Sequence, residues 1–343
     1  MKNLPGYLLI ALLFSALARC NKSGNAVSSG SVVYIAGVEN SLPKLWRNRS
    51  PAALEGDYSN GMATSIFASG NDLYVAGTVV INGAKNSTAI YWKNGHAIRL
   101  SDGTKNESAT SIFVSGNDIY VAGSETTVNN NLVAKYWKNG QSVILSDSTV
   151  ISDNTKSEGA SSLFVSGNDI YVSGVEFFQS VPVSVAKYWK NGNAVILTDS
   201  SGWANTTSMV VSDNIVYIAG TIKKNAAYWK NGAAVTLTNA TSFTDVGSMV
   251  VSGNDIYVAG DEGGITPYIA KYWKNGISVN LSDGTNGAQA HSISISGNDI
   301  YVAGSETQSN NHQVAKYWKN GVAISITDSS SSSNAFAITV IDK

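Results

Sequence analysis

One unit recurs seven times along this chain. A segment like Gly-Asn-Asp-Ile-Tyr-Val-Ala-Gly is followed each time by one like Ala-Lys-Tyr-Trp-Lys-Asn-Gly. The tyrosines of the first segment lie 40, 46, 51, 46, 40 and 44 residues apart, at Tyr34, Tyr74, Tyr120, Tyr171, Tyr217, Tyr257 and Tyr301. The tryptophans of the second are Trp46, Trp92, Trp137, Trp189, Trp229, Trp273 and Trp318. A period of this length, made of strand-like runs and tight turns, predicts one β-propeller blade per repeat.

The third repeat shows how such a blade is built. Four strand-like runs, called A to D, occupy residues 109–115, 118–123, 133–137 and 142–145. Gly116-Asn117 joins A to B and Asn139-Gly140 joins C to D, and both dipeptides are signals for two-residue hairpin turns. The chain is therefore predicted to be all-β, a seven-bladed propeller of four-stranded antiparallel blades.

The two ends of the repeat region complement each other. The first repeat has no strand A before Ser31, whereas residues 334–341 match strand A and are followed by no strand B. We expect this C-terminal strand to complete blade 1, which closes the ring and leaves no open blade edge. The single propeller is predicted to span residues 31–343.

The repeat also predicts two different faces. In an up-and-down meander the A–B and C–D turns lie on one face, which we call the uniform face because these turns hardly vary. The B–C and D–A loops lie on the other, the variable face, and they differ in length and sequence. Because loops on a rigid scaffold commonly carry function, we expect a ligand on the variable face or in the central channel.

Residues 1–20 are predicted to be a lipoprotein signal peptide and lipobox rather than part of the fold. Lys2 is followed by an apolar run too short to span a membrane. Cys20 is the only cysteine and is expected to carry the lipid of a bacterial outer-membrane lipoprotein, although Arg19 departs from the small residue usual before it. Residues 21–30 are expected to be a flexible tether. The alternative is a secreted protein that loses Cys20 with its signal.

Composition and histidine placement argue against several functions. The net charge is −1 and charged residues make up 14%, which does not fit a nucleic-acid partner. By blade alignment His96 is near a C–D turn, His291 begins strand A of blade 7, and His312 lies in a B–C loop. These positions give neither metal-ligand spacing nor a catalytic triad. We predict no metal, no cofactor and no catalytic residues.

Charged residues recur in the same five blades. A glutamate follows the strand B glycine by two positions, and a lysine lies two positions before the strand C tryptophan, giving Glu39–Lys44, Glu125–Lys135, Glu176–Lys187, Glu262–Lys271 and Glu306–Lys316. The other two blades have apolar residues at both positions or a small residue in place of the lysine. This joint pattern favours cross-strand ion pairs near the variable face over a cation-binding ring of glutamates.

Two further repeated features are expected to be structural. The aspartates that follow strand D are predicted to cap turns rather than bind calcium, and they are Asp102, Asp147, Asp199, Asp283 and Asp328. The seven repeated tryptophans are predicted to fill the spaces between blades rather than form a sugar-binding ring.

A few aromatic residues stand outside the repeat. Trp203 is the only tryptophan not in the series and lies in the loop from blade 4 to blade 5. Phe177 and Phe178 are placed in the B–C loop of blade 4, and Lys223 flanks the same sector in blade 5. Exposed aromatic residues on a loop rim suit sugar stacking or a protein contact, so these four are the predicted ligand-binding residues. The alternative is that the rings pack together only to hold the two loops.

The Ala-x-Tyr-Trp-Lys-Asn-Gly unit and the leucine after it resemble the HAF repeats of bacterial extracellular proteins, which have a comparable Trp-x-x-Gly unit. The resemblance covers residues 31–341 and implies an extracellular propeller without a known mechanism. The leading expectation is a lipid-anchored, non-enzymatic module that binds a glycan or an envelope protein. A polysaccharide lyase or glycoside hydrolase is the first alternative, and a structural spacer is the second.

Overall fold

The structure is a computed structural model that describes residues 30–147, 150, 155–239, 243–263 and 267–342 of the 343-residue chain. The predicted signal peptide, Cys20 and residues 21–29 of the predicted tether lie outside the described residues. Seven four-stranded antiparallel sheets form a ring, and each sheet follows the A-B-C-D order. The predicted all-β, seven-bladed propeller is confirmed.

The strands of the first four blades follow the chain. Blade 1 contains β1 (Val32–Glu39), β2 (Leu42–Arg47) and β3 (Ser50–Ala52). Blade 2 contains β4 (Tyr58–Ser69), β5 (Asp72–Ile81), β6 (Thr88–Lys93) and β7 (His96–Arg99). Blade 3 contains β8 (Glu107–Ser115), β9 (Asp118–Thr126), β10 (Leu132–Lys138) and β11 (Gln141–Ile144). Blade 4 contains β12 (Lys156–Ser166), β13 (Asp169–Phe178), β14 (Ser184–Lys190) and β15 (Asn193–Ile196).

The remaining strands complete the ring. Blade 5 contains β16 (Ala204–Ser212), β17 (Ile215–Ile222), β18 (Asn225–Lys230) and β19 (Ala233–Thr236). Blade 6 contains β20 (Phe243–Ser252), β21 (Asp255–Gly263), β22 (Ile269–Lys274) and β23 (Ile277–Asn280). Blade 7 contains β24 (Ala288–Ser296), β25 (Asp299–Thr307), β26 (Gln313–Lys319) and β27 (Val322–Ser325), and β28 (Ser333–Ile341) belongs to blade 1.

Closure of the ring is as predicted. Strand β28 pairs antiparallel with β1, from Val32 opposite Ile341 to Glu39 opposite Ser333. The amide of Asn40 continues this ladder by donating to the carbonyl of Ser332 at 3.0 Å. The C-terminal strand is therefore the innermost strand of blade 1.

The uniform face is built from two turn types that the sequence specifies. In blade 3, Gly116 has φ +59°, whereas Asn139 and Gly140 have φ +50° and +82°. A first central residue with positive φ fits a type II′ turn, and two in succession fit type I′, the turns whose twist matches a hairpin. Glycine and asparagine tolerate this region best, which explains why both dipeptides recur.

The repeated tryptophans fill the spaces between blades, as predicted. All seven are at most 2% exposed. Trp137 of blade 3 packs against Tyr74, Ala76 and Ala89 of blade 2. The strand B glycine belongs to the same packing, because a Cβ on Gly123 would lie 2.9 Å from the Trp137 ring and 1.8 Å from the carbonyl oxygen of Ser108. The core is therefore a ring of blade-to-blade contacts.

Every innermost strand carries a β-bulge that the sequence did not predict. At the equivalent position of each blade one residue has no partner in the ladder, and the seven are Thr64, Thr110, Ser161, Thr207, Gly247, His291 and Phe336. Blade 2 has a second irregularity at Ser59. All seven line one central cavity of about 350 Å³. A bulge re-aims the side chain of the extra residue, which accounts for this ring. The placement of His291 at the start of strand A was wrong, since it is the bulge residue within β24.

Candidate functional site

Phe177 and Phe178 are strand residues, which corrects the prediction that they lie in a loop. They are the last two residues of β13, opposite Ser157 and Lys156 of β12. The strand continues past its glycine because the ladder to β14 also continues, as far as Phe177. Successive residues of a strand point to opposite sides, so the Phe177 and Phe178 rings lie on opposite sides of β13. Phe178 lies under the ammonium group of Lys156, 5.2 Å from its ring centroid.

The structure brings Phe177 and Trp203 together. Their ring centroids are 6.2 Å apart in an edge-to-face arrangement, a favourable geometry for aromatic pairs. The indole of Trp203 nevertheless remains 52% exposed. The predicted alternative, in which the rings only pack on each other, accounts for the contact and leaves the exposed half unexplained.

Lys223 lies directly beside Trp203. Its amide donates to the Trp203 carbonyl at 2.6 Å, and its aliphatic stem covers Gly202, where a Cβ would lie 3.3 Å from the Lys223 Cγ. Lys223 has φ +59°, a region that most residues other than glycine, asparagine and aspartate avoid. The tight turn that requires this conformation holds Lys223 against blade 5, whereas the Lys224 carbonyl accepts a hydrogen bond from the Thr244 amide of blade 6 at 3.1 Å.

Phe243 completes the site and was missed by the sequence analysis. Phe243 is 59% exposed, and the ammonium group of Lys224 lies 5.2 Å from its ring centroid. Phe243 stands four residues before the bulge residue of blade 6, as Trp203 does in blade 5. Alignment of the inner strands on this position is the signal that finds it. We call Phe177, Trp203, Lys223, Lys224 and Phe243 the aromatic rim.

The five predicted glutamate–lysine pairs are confirmed. The N–O distances are 3.2 Å for Lys44–Glu39, 2.5 Å for Lys135–Glu125, 2.5 Å for Lys271–Glu262 and 2.6 Å for Lys316–Glu306, and Lys187 contacts Glu176. They are diagonal pairs, since each lysine is in register with the strand B glycine two positions before the glutamate. Four of the five lysines are buried, so the pairs belong mainly to the blade-to-blade core rather than to solvent.

Blades 3 and 4 add a second buried glutamate to the pair. Glu107 and Glu158, both from strand A, contact Lys135 and Lys187 respectively. Burial raises the pKa of Glu176, but hydrogen bonds from Lys156 and Lys187 outweigh this and hold the pKa below its usual value. Each lysine is thus enclosed by two carboxylates from strands A and B of its own blade, so the buried charges of these two blades are paired.

Blade 6 contains a carboxylate pair near the rim. Asp245 and Asp261 are in register on neighbouring strands, and Asp261 is 2% exposed. Burial raises the pKa of Asp261 to about 7, the charge of Asp245 raises it further, and a hydrogen bond from the Ala290 amide opposes the shift. That amide belongs to blade 7, so the Asp261 carboxyl faces the neighbouring blade rather than the rim.

The remaining sequence candidates are structural in the described residues. Asp102, Asp199, Asp283 and Asp328 accept amide hydrogen bonds from residues two positions ahead at 2.9–3.0 Å, and Asp147 accepts one from Val150 at 3.1 Å, as the capping prediction requires. His96 contacts Glu55 and His312 contacts the Ser329 carbonyl. Burial lowers the pKa of His291 to about 4, opposed by a hydrogen bond to Asn334. No cluster of three potential metal ligands occurs within the described ranges.

Comparison with known proteins supports the fold alone. The sequence matches no family model and no curated protein. A prolyl endopeptidase structure is similar with a TM-score of 0.51 at 11% identity, over 91% of this chain and 50% of that one, so this chain spans about half of it. A thermostable family-43 glycoside hydrolase gives a TM-score of 0.41 at 10% identity, over 68% and 97%. The β-propeller domain of the Trilobed protease from Pyrococcus furiosus gives 0.40 at 10% identity, over 79% and 99%.

In the part of the chain that the structure describes, no helix has the length and apolar character needed to cross a membrane.

Proposed function

We propose that this protein is a non-enzymatic binding module whose ligand is a glycan stacked on the aromatic rim. One observation carries the proposal. Trp203 and Phe243 occupy equivalent positions on adjacent blades, expose 52% and 59% of their surface, and are joined by the Lys223-Lys224 turn. The repeat buries its other seven tryptophans almost completely, so exposed rings here are a departure from its own pattern.

The composition of the rim favours a glycan over a protein partner. The rings alternate with lysines, whereas the buried cores of protein–protein interfaces are depleted in lysine. Aromatic faces attract the weakly positive C–H groups of a sugar ring, and ammonium groups donate hydrogen bonds to its hydroxyls. A row of ring, ammonium and ring therefore offers both contacts that a pyranose needs.

A glycan array probed with the purified protein tests the proposal. Trp203→Ala and Phe243→Ala are expected to weaken binding to the recognised glycan by about tenfold or more, because each removes a stacking surface. Phe178→Ala is the matched control, since it removes a ring next to Phe177 that points to the other side of β13. Equal loss in all three variants would contradict a site on the rim.

The same material separates the alternatives. Release of reducing ends or unsaturated products from the bound glycan would favour a hydrolase or lyase over a binding module. A second result is that the protein binds no glycan but captures an envelope protein, which the Trp203→Ala variant no longer captures. That result would show that the ligand of the rim is a protein. Binding to neither would favour a spacer.

We further propose that Cys20 anchors this module to the bacterial envelope. The support is the N-terminal sequence, in which an apolar run after Lys2 ends at the only cysteine. Metabolic labelling with a fatty-acid analogue is expected to mark the protein, and Cys20→Ser is expected to remove the label. A labelled Cys20→Ser variant would refute the anchor.

A further inference from the structure

The residue four positions before the bulge differs between blades, from a large ring to glycine. Blades 5 and 6 have Trp203 and Phe243 there. Blades 4, 7 and 1 have Ser157, Gly287 and Ser332, and each of these small residues lines a pocket. Pockets therefore lie beside the aromatic rim.

One pocket begins where the rim ends in blade 4. It has a volume of about 480 Å³ and lies between blades 3 and 4, with Phe177, Asn130 and Gln179 in its wall. The Gln179 side chain is held there, because its Nε2 donates to Asn131 Oδ1 at 2.6 Å. Phe177 belongs to both the rim and the pocket, so the two surfaces are continuous.

A second pocket extends the rim in the opposite direction. It has a volume of about 420 Å³, lies between blades 6 and 7, and is lined by Tyr268 and Gln289 among others. Tyr268 adjoins the rim, because it packs on Gly263, the strand partner of Phe243, where a Cβ would lie 2.9 Å from the Tyr268 ring. The rings of blades 4, 5 and 6 and Tyr268 thus form one arc with a pocket at each end.

Both end pockets are uncharged. Their walls consist of amide, hydroxyl, aromatic and aliphatic groups, with no Asp, Glu, Lys or Arg. By contrast, the pocket between blades 2 and 3 is lined by Arg99, Asp102 and Lys105. Amides both donate and accept hydrogen bonds, as sugar hydroxyls do, whereas a carboxylate on a sugar would find no cation in the end pockets.

We propose that the arc binds the interior of a linear glycan, with sugar units stacked on the central rings and one further, neutral unit in each end pocket. The inference rests on the proposed function and specifies its ligand as an extended chain rather than a terminal sugar. A ligand that fills both pockets must cross the inner edges of blades 4, 5 and 6, which a monosaccharide or disaccharide cannot do.

Isothermal titration with oligosaccharides of defined length tests this. Cello-, xylo-, manno- and chito-oligosaccharides from disaccharide to hexasaccharide are the neutral probes, and oligogalacturonides of the same lengths are the acidic ones. In the neutral series that binds, affinity is expected to rise about tenfold or more from disaccharide to hexasaccharide. Trp203→Ala is expected to weaken binding at every length, whereas Gln179→Ala and Gln289→Ala weaken it only for the longer oligosaccharides.

The outcomes separate this inference from the proposed function. Affinity that stays flat with length, but is lost in Trp203→Ala, would overturn the extended site and leave a rim that binds a terminal sugar. Tighter binding of the oligogalacturonides would overturn the assignment of neutral sugar units to the end pockets. Absence of binding to every oligosaccharide and every arrayed glycan would overturn both proposals.

Discussion

The two faces of the ring are made by the same repeat, yet they differ in how closely the blades agree. On the uniform face five blades repeat one cluster. In it, an aspartate at the start of strand B binds the lysine that ends strand C and the asparagine that follows in the C–D turn. The Lys–Asp distances are 2.7 or 2.8 Å and every Asn–Asp distance is 2.7 Å. On the variable face the residue four positions before the bulge is asparagine, serine, tryptophan, phenylalanine or glycine.

This contrast separates scaffold from site. The repeated cluster ties strand B to strand C at the ends of each blade, so any blade that lost it would lose local stability. The residues of the variable inner edge make few such ties and differ in exposure, from the open pocket at Gly287 to the exposed rings of Trp203 and Phe243. Changes on the uniform face should therefore affect folding, and changes on the rim should affect binding.

Removing β28 would break both faces at once and should have the largest effect. Deletion of residues 333–343 leaves the inner edge of β1 unpaired and opens the ring between blades 1 and 7. We expect loss of the cooperative thermal transition, or aggregation, in circular dichroism and size-exclusion measurements. Deletion of residue 343 alone is the control. A truncated protein with an unchanged melting temperature would show that closure by β28 is dispensable.

Two lysines of β14 sharpen the comparison inside one blade. Lys187 is buried between Glu158 and Glu176, whereas Lys190 is exposed in the uniform-face cluster with Asp169. Lys187→Ala leaves the buried Glu158 carboxylate without a cation and Glu176 with Lys156 alone, and is expected to lower the free energy of unfolding by about 3–5 kcal/mol. Lys190→Ala should have a much smaller effect in the same denaturant titration, and equal effects would contradict the assignment of Lys187 to the core.

Asp261 gives a stabilising prediction with a defined pH window. The folded protein holds the Asp261 proton up to a pKa of about 7, whereas an unfolded chain releases it near pH 4. Its contribution to stability is complete below pH 4 and is lost as the pH rises to about 7. Asp261→Ser introduces the residue that blades 3 and 7 have at the equivalent position, where they carry Ser124 and Ser305. This variant is expected to raise the free energy of unfolding by about 2 kcal/mol at pH 8. A benefit that does not grow between pH 4 and pH 8 would refute this account.

Paired variants from the two faces test the comparison with the smallest effects. Asn139→Ala removes hydrogen bonds to the Ile119 amide and Asp118, and forces alanine into a positive φ, so we expect a loss of about 2 kcal/mol. Asn139→Gly keeps the backbone conformation and should cost less. Trp203→Ala should cost no more than about 2 kcal/mol, because only half of the residue is buried. A larger loss in Trp203→Ala than in Asn139→Ala would reverse the assignment of the faces.

Sequence reasoning went furthest where the repeat is maintained. Turn dipeptides and strand alternation are local signals, so they predicted the blades, the closing strand and the five ion pairs. Local signals could not find the bulges, because an inserted residue in strand A changes neither composition nor turns, and His291 was misplaced for that reason. No local signal marks where strand B of blade 4 ends either, so Phe177 and Phe178 were predicted to lie in a loop. Phe243 was recoverable, since it aligns with Trp203 once the inner strands are superimposed.

We propose that a ligand covers the aromatic rim and leaves the rest of the propeller unchanged. Fluorine NMR of protein labelled with 5-fluorotryptophan tests it directly, because the chain has eight tryptophans and only Trp203 is exposed. Upon titration with a glycan that the array identifies, we expect the Trp203 resonance to shift while the seven buried ones stay in place. A bound glycan that leaves the Trp203 resonance unmoved would show that the ligand does not cover the aromatic rim.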